Sequence, residues 1–320
     1  MSPTESGLPA IGPADDDRYL LDEAESARIF RDRIIPDQLT GDAQEQPVVV
    51  LVGGQPGDGK ATITALAKAV LVARGRPVVL SAAAYEAYHP RFHEPISEDP
   101  PTAGRYVAAD GRRWLRAAEE WVIRHRYDAI VENELVDPEG FAASARAFKD
   151  AGFQVDIALL AVNEVLSWFG VLERHLRALE NYGFGRLTGQ HVHDAGAAGV
   201  LRAAELIDAG EWADRIAVVR PDGRLVYGNE RDPAGAWRQP ARTASTISAE
   251  RDRPWTAVES RNFLQTTSQV GRIGLAAPVR WIRDESLDGA RTVTAMARKL
   301  LHADAVTLHL ATAGTAAPGS

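Results

Sequence analysis

One stretch constrains this chain more than any other: Pro47-Val48-Val49-Val50-Leu51-Val52-Gly53-Gly54-Gln55-Pro56-Gly57-Asp58-Gly59-Lys60-Ala61-Thr62. A run of β-branched and apolar residues meets a glycine-rich turn, and an amphipathic segment, Ile63 to Ala73, takes over. The order strand, loop, helix is the context a phosphate-binding P-loop needs. From Gly54 to Lys60 the spacing reads G-x-x-x-x-G-K. Glycines let successive amide N–H groups turn inward toward a phosphate, the helix N-terminus adds its positive dipole end, and Lys60 can reach the β- and γ-phosphates. A strand-to-helix turn that merely contains glycines does not call for this order of Gly54, Gly57, Gly59 and Lys60. The sequence therefore predicts that Gly54, Gln55, Pro56, Gly57, Asp58, Gly59, Lys60, Ala61 and Thr62 bind a nucleotide. One position departs from the pattern. Ala61 stands where a hydroxyl for Mg²⁺ is expected, with Thr62 immediately after it.

The flanking chain supplies a sheet for this loop. Apolar residues recur at helical spacing from Tyr19 to Ile35, and Pro36 is expected to stop that helix. Further strands are predicted at Arg76–Ser81, Ala129–Val131 and Val155–Val162, and a hairpin at Ile216–Tyr227 around Pro221-Asp222-Gly223. Helices are predicted from Trp114 to Arg126, Phe141 to Ala151 (closed by Gly152), Val165 to Asn181 and Val192 to Ala209. The proline-rich segment Pro95 to Ala103 reads as a loop. Apolar strands alternating with helices indicate an α/β fold, a mainly parallel sheet with helices on both faces. Ligands of such sheets sit at the carboxyl ends of the strands, which puts the P-loop, Ser81–Ala84 and Glu132–Glu134 on one rim. Past Pro240 the character changes. Thr256 and Glu259 have the spacing of a capping box, opening a helix toward Val270, and another runs near Leu287 to Ala303.

Composition closes several routes. The chain of 320 residues has no cysteine, which excludes disulfides and thiolate metal sites. Its net charge of −8 argues against a nucleic-acid-binding surface. No apolar run reaches the roughly 18 residues of a membrane span, and Met1–Gly7 lacks the regions of a signal peptide, so a cytoplasmic protein is expected. His191 and His193 have no third ligand at metal spacing, so no metal site is expected beyond Mg²⁺ on a nucleotide.

Several motifs in order carry a resemblance. They are Gly54-Gln55-Pro56-Gly57, Tyr88-His89-Pro90, Ala161-Val162-Asn163-Glu164-Val165-Leu166-Ser167-Trp168, Gly170–Arg174, Gly185-Arg186-Leu187-Thr188 and Val226-Tyr227-Gly228-Asn229-Glu230. From about Asp22 to about Thr256 the chain resembles the zeta toxin family, P-loop kinases that are the toxin half of bacterial toxin–antitoxin systems. The resemblance implies ATP and Mg²⁺ as cofactors, UDP-N-acetylglucosamine as the phosphate acceptor and an antitoxin protein as partner. With the composition of the ends and the change past Pro240, the expected division is a disordered lead-in (1–16), a zeta-toxin-like P-loop kinase domain (17–240), a helical C-terminal extension (241–311) and a frayed tail (312–320). By the same resemblance Arg174 and Arg186 clamp ATP phosphates beside Lys60. Spacing alone would read Arg174 as a solvated helix charge. Glu132, at a strand end, faces substrate or metal, or is simply solvated.

Departures from the family pattern bear on activity. The aspartate that accepts the sugar hydroxyl proton matches Ala83, or Ser81 on a shifted alignment. A family glutamate matches Arg116, and a threonine and an arginine are replaced by Glu134 and Val136. Asp58 adds negative charge inside the P-loop. Glu86 and Glu134 are the available substitute carboxylates.

Overall fold

The computed structural model describes residues 19–93, 103–182, 188–276 and 280–306. Expectations for the lead-in, for the tail and for a loop before Ala103 fall outside them. Two compact units divide at Arg251/Asp252.

The first unit is built on six strands in the order β2-β3-β1-β4-β5-β6. These are β1 (Val48–Gly53), β2 (Val78–Ser81), β3 (Ala129–Asn133), β4 (Gln154–Leu160), β5 (Arg215–Val219) and β6 (Leu225–Glu230). All neighbours pair parallel except β5 and β6, the predicted hairpin. The family-type α/β sheet is therefore present. Successive residues of β1 serve opposite faces. Val49 and Leu51 join one apolar cluster, while Val48 and Val52 join another. This is why the strand reads as continuously apolar rather than alternating.

One face is covered by α2 (Lys60–Leu71), through Ile63 and Leu71. The other carries α1 (residues 23–38), α4 (Ala103–His125), α5 (Pro138–Asp150) and α7 (Gln190–Ala209), with Trp114, Phe141, Phe148 and Val200 among its fully buried side chains. Each such side chain contributes roughly 1.5–3 kcal/mol of burial.

Register sets the rim. Gly53 of β1 lies beside Asn133 of β3, and Ser81 of β2 beside Glu132. The chain leaves β1 for β2 and β3 on one side and later takes β4 on the other, so the P-loop opens at the topological switch point.

One local expectation needs correction. Pro36 does not end the first helix. Glu23–Ile29, a π turn at Phe30–Ile34 and Ile35–Gln38 form one helical run, α1. A proline ring clashes with the carbonyl four residues back, and the wider π turn just before it relieves that clash. Within the span expected to be a helical extension, Thr243–Asp252 is a helix, α8, and its Ile247 is fully buried in the main core. The first unit thus extends to Arg251. The remaining helices of the first unit are α3 (Ala82–Glu86) and α6 (Glu164–Tyr182). Gly152 has φ +80, as expected of a glycine that ends a helix.

The second unit holds α9 (Ala257–Ala276), α10 (Arg280–Ala297) and α11 (Ala303–Val306). The capping box forms. Thr256 N donates to Glu259 Oε2 at 2.7 Å, and Glu259 N to Thr256 Oγ1 at 3.2 Å. No helix among the described residues is long and apolar enough to cross a membrane.

Candidate functional site

The P-loop joins β1 to α2, and its two inner glycines are needed for backbone reasons. Gly57 has φ +80 and Gly59 +92. A Cβ on Gly57 would lie 2.0 Å from Ser167 O, so α6 presses directly on the loop. On the other side of this contact a Cβ on Gly170 would lie 2.2 Å from Gly57 O. Lys60 opens α2 and folds back over the loop. Its Nζ donates to Gly54 O (2.8 Å), Gln55 O (2.9 Å) and Asp58 Oδ1 (3.0 Å). Its amide donates to the same Asp58 oxygen at 3.1 Å. Asp58 is buried, and that burial, assisted by the Glu134 charge, holds its carboxyl above the usual range despite the pull of Lys60.

Gln55 anchors the loop to three other segments directly and to α7 through Arg251. Its Nε2 donates to Val162 O, past the end of β4, and to Ser167 Oγ of α6, both at 2.9 Å. Arg251 Nη2 of α8 donates to Gln55 Oε1 at 2.6 Å, and Arg251 Nη1 to Ala197 O of α7 at 2.9 Å. Asn163 Nδ2 returns the connection by donating to Arg251 O. Ser167 Oγ lies 2.8 Å from His193 Nε2, and His193 Nδ1 lies 3.0 Å from Asp194 Oδ1. A serine, histidine and aspartate in line suggest a nucleophile, but Ser167 is fully buried and bonded to the P-loop glutamine. This arrangement is a brace. Charge-assisted bonds from Arg251 make it a strong one.

Along α6, Gly170, Glu173, Arg174, Arg177, Ala178 and Asn181 line a groove of about 420 Å³. It begins at the glycine that touches the P-loop. Arg174 lies one turn further on and donates to Thr188 Oγ1 at 3.1 Å. Arg186 lies outside the described residues.

The rim beyond β1 differs in chemistry. Thr64 Oγ1 of α2 donates to Glu132 Oε1 at 2.6 Å, so Glu132 is bound to the P-loop helix. Leu135, at φ +55, carries the β3–α5 loop inward between Gly53 and Gly199. Ala83 and Ala84 expose methyl groups at the end of β2, and Arg116 is exposed on α4. Glu86 is 3% exposed and packs against Gly111 of α4. His89, also buried, shares its Nε2 with Tyr19 O at 2.9 Å and lies 3.6 Å from Asp110, tying down the start of the described chain.

A family model described as Zeta toxin matches residues 32–232. The chain belongs to the zeta toxin family. Among curated relatives of this family member is Toxin PezT of Streptococcus pneumoniae, 23% identical over 195 residues, covering 61% of this chain and 76% of that one. Toxin zeta of Streptococcus pyogenes is 25% identical over 194 residues, covering 60% and 67%. A solved structure from the PezAT chromosomal toxin–antitoxin system of Streptococcus pneumoniae shares the fold with a TM-score of 0.65 at 18% identity, over 81% of this chain and 100% of that one.

Within this zeta toxin fold, Lys60 and Asp58 meet directly, and Glu132 reaches α2 through Thr64. Arg174 stays on the α6 groove. Three contributors were absent from the sequence reading of the site. Ser167 and Asn163 lie inside a family motif that by spacing alone assigns them no bond, and Arg251 has no local signal, standing in the run Ala249-Glu-Arg-Asp-Arg253. Among the described residues no group of three or more His, Asp or Glu forms a metal site.

Proposed function

We propose that this protein binds ATP on the β1–α2 loop and derives from kinases that phosphorylate a sugar nucleotide, with turnover of UDP-N-acetylglucosamine strongly reduced. The observation that carries the reading is Lys60, held over a loop of inward-turned backbone at the switch point of the sheet. Phosphoryl transfer needs positioning and charge neutralisation more than covalent chemistry, and Lys60 and Arg174 are cations suited to that work. Arg186 is proposed beside them on the strength of its motif alone. Mg²⁺ would come with the nucleotide. The residues suit it less well, since Ala61 offers no oxygen and Glu132 is engaged by Thr64.

The acceptor side supports the reduced turnover. Ala83 presents a methyl group where the family reaction takes a proton, and a general base contributes a factor of roughly 10² to 10⁴. Glu86 is packed between α3 and α4. Glu134, whose charge reaches Asp58, adds a second negative charge on the loop's side of the rim.

A second reading follows from the same methyl-lined rim: a nucleotide-binding protein without phosphotransfer that acts through a partner. An antitoxin is the partner proposed, because the matched solved structure comes from a toxin–antitoxin system. A coupled ADP-release assay with UDP-N-acetylglucosamine, checked by mass spectrometry of the sugar nucleotide, tests the proposal. ATP binding with slow product formation supports reduced turnover, and ATP binding with none supports the second reading. Robust turnover overturns both and makes Glu134 the replacement base to test first.

A further inference from the structure

An ammonium group has three protons to donate. Lys60 directs all three into its own loop, two to the carbonyls of Gly54 and Gln55 and the third to Asp58. The Lys60 amide, the first of α2 and one of the donors a phosphate would use, is also taken by Asp58 Oδ1. The other carboxylate oxygen, Oδ2, is buried with no hydrogen-bond partner and lies against Gly54, where a Cβ would come within 1.7 Å of it. One side chain thus fills the space inside Gly54–Lys60 and supplies the negative charge that the loop's donors seek.

We infer that Asp58 is an internal competitor for the nucleotide, a carboxylate that must release Lys60 before a β-phosphate can bind there. The inference rests on the phosphate site proposed above and adds what sets its affinity. Competition arises because both anions call on the same ammonium proton and the same amide. Two exits are open to the carboxylate: rotation away from Lys60, or protonation. The charged groups acting on it are Lys60 of its own loop and Glu134 of the β3–α5 loop. Lys60 favours the charged form, whereas burial and Glu134 oppose it and prevail. Acidification therefore weakens the competitor, and the loop takes polyphosphate more readily as pH falls.

Calorimetric titration of the full chain with MgATP distinguishes the outcomes, using wild type, Asp58→Ala, the near-isosteric Asp58→Asn and Lys60→Ala. Thermal melts identify which variants are folded. Asp58→Ala is expected to bind roughly tenfold tighter or more, as loss of a charge-assisted contact to Lys60 implies, with Asp58→Asn between it and wild type. The gap between Asp58→Asn and wild type should narrow as pH is lowered, a comparison that cancels protonation of ATP itself. Unchanged or weaker affinity in the folded Asp58 variants, with Lys60→Ala still impaired, overturns the competitor and leaves the phosphate site standing. Affinity that is unchanged by Lys60→Ala overturns both.

Discussion

The two halves of the carboxyl rim treat their acidic groups differently. At β1 a carboxylate is drawn into the loop and balanced by a lysine, with Gln55, Ser167 and Arg251 holding the backbone around it. Around β2, carboxylates are withdrawn into helix packing and methyl groups are left at the surface. Glu86 is buried against Gly111, and Glu119 of α4 sits near buried Tyr85 with its Oε1 accepting from Ser144 Oγ at 2.7 Å. Burial raises both Asp58 and Glu119, the latter to about 7. The difference is the partner. A lysine keeps charge available for exchange with another anion, while a hydroxyl only solvates a group that is easier to protonate. The first half is built to trade one anion for another, and the second is built to pack.

The largest expected effect breaks the first half directly. Gly57→Ala places a Cβ within 2.0 Å of Ser167 O at a φ of +80, and should destabilise the first unit by about 3 kcal/mol. Denaturant unfolding checks this, and a loss under about 1 kcal/mol would mean that α6 does not clamp the loop. Next, Lys60→Ala should lower ATP affinity by roughly 1.5–3 kcal/mol, read by calorimetry.

Glu119→Gln tests the packing half. The folded state binds this proton more tightly than the unfolded chain, whose value is near 4.5. Its contribution to stability is therefore complete below about pH 4.5 and lost as pH rises through about 7. Glutamine keeps an acceptor for Ser144 and never ionises. The variant should gain on wild type between about pH 5 and about pH 8, by on the order of 2 kcal/mol once partial exposure is discounted. A gap independent of pH would place Glu119 in water rather than in packing. The smallest effect is Ala61→Ser, which restores a hydroxyl beside Lys60 and should raise the Mg²⁺ dependence of ATP binding by less than about 1 kcal/mol. No change would show that Thr62 or water already meets the metal.

Much of this was legible because it is local. The strand–glycine–helix succession from Val48 to Leu71 follows from dihedral freedom and apolar spacing within some two dozen residues. The Thr256–Glu259 capping box is a relation between neighbours on one turn, and both partners form it as read. Pro36 misled because its local rule is to stop a helix, while a π turn makes room for it. The helix Thr243–Asp252 has little amphipathic pattern of its own and depends on burying Ile247 in the main core.

By itself the sequence determined where a glycine-rich loop joins strand to helix and which family the chain resembles, since chain order and residue type carry that information. Only the tertiary structure decided how the loop is held and what its charges face. Arg251 reaches Gln55 across 196 residues, and no spacing rule spans that distance. Asp58 could have pointed into water from the same position. The lysine ammonium and the first amide of α2 hold it inward instead, under a loop on which α6 presses at Gly57. Hydrogen-bond partners and burial are properties of crossing segments, and the fold alone makes them cross.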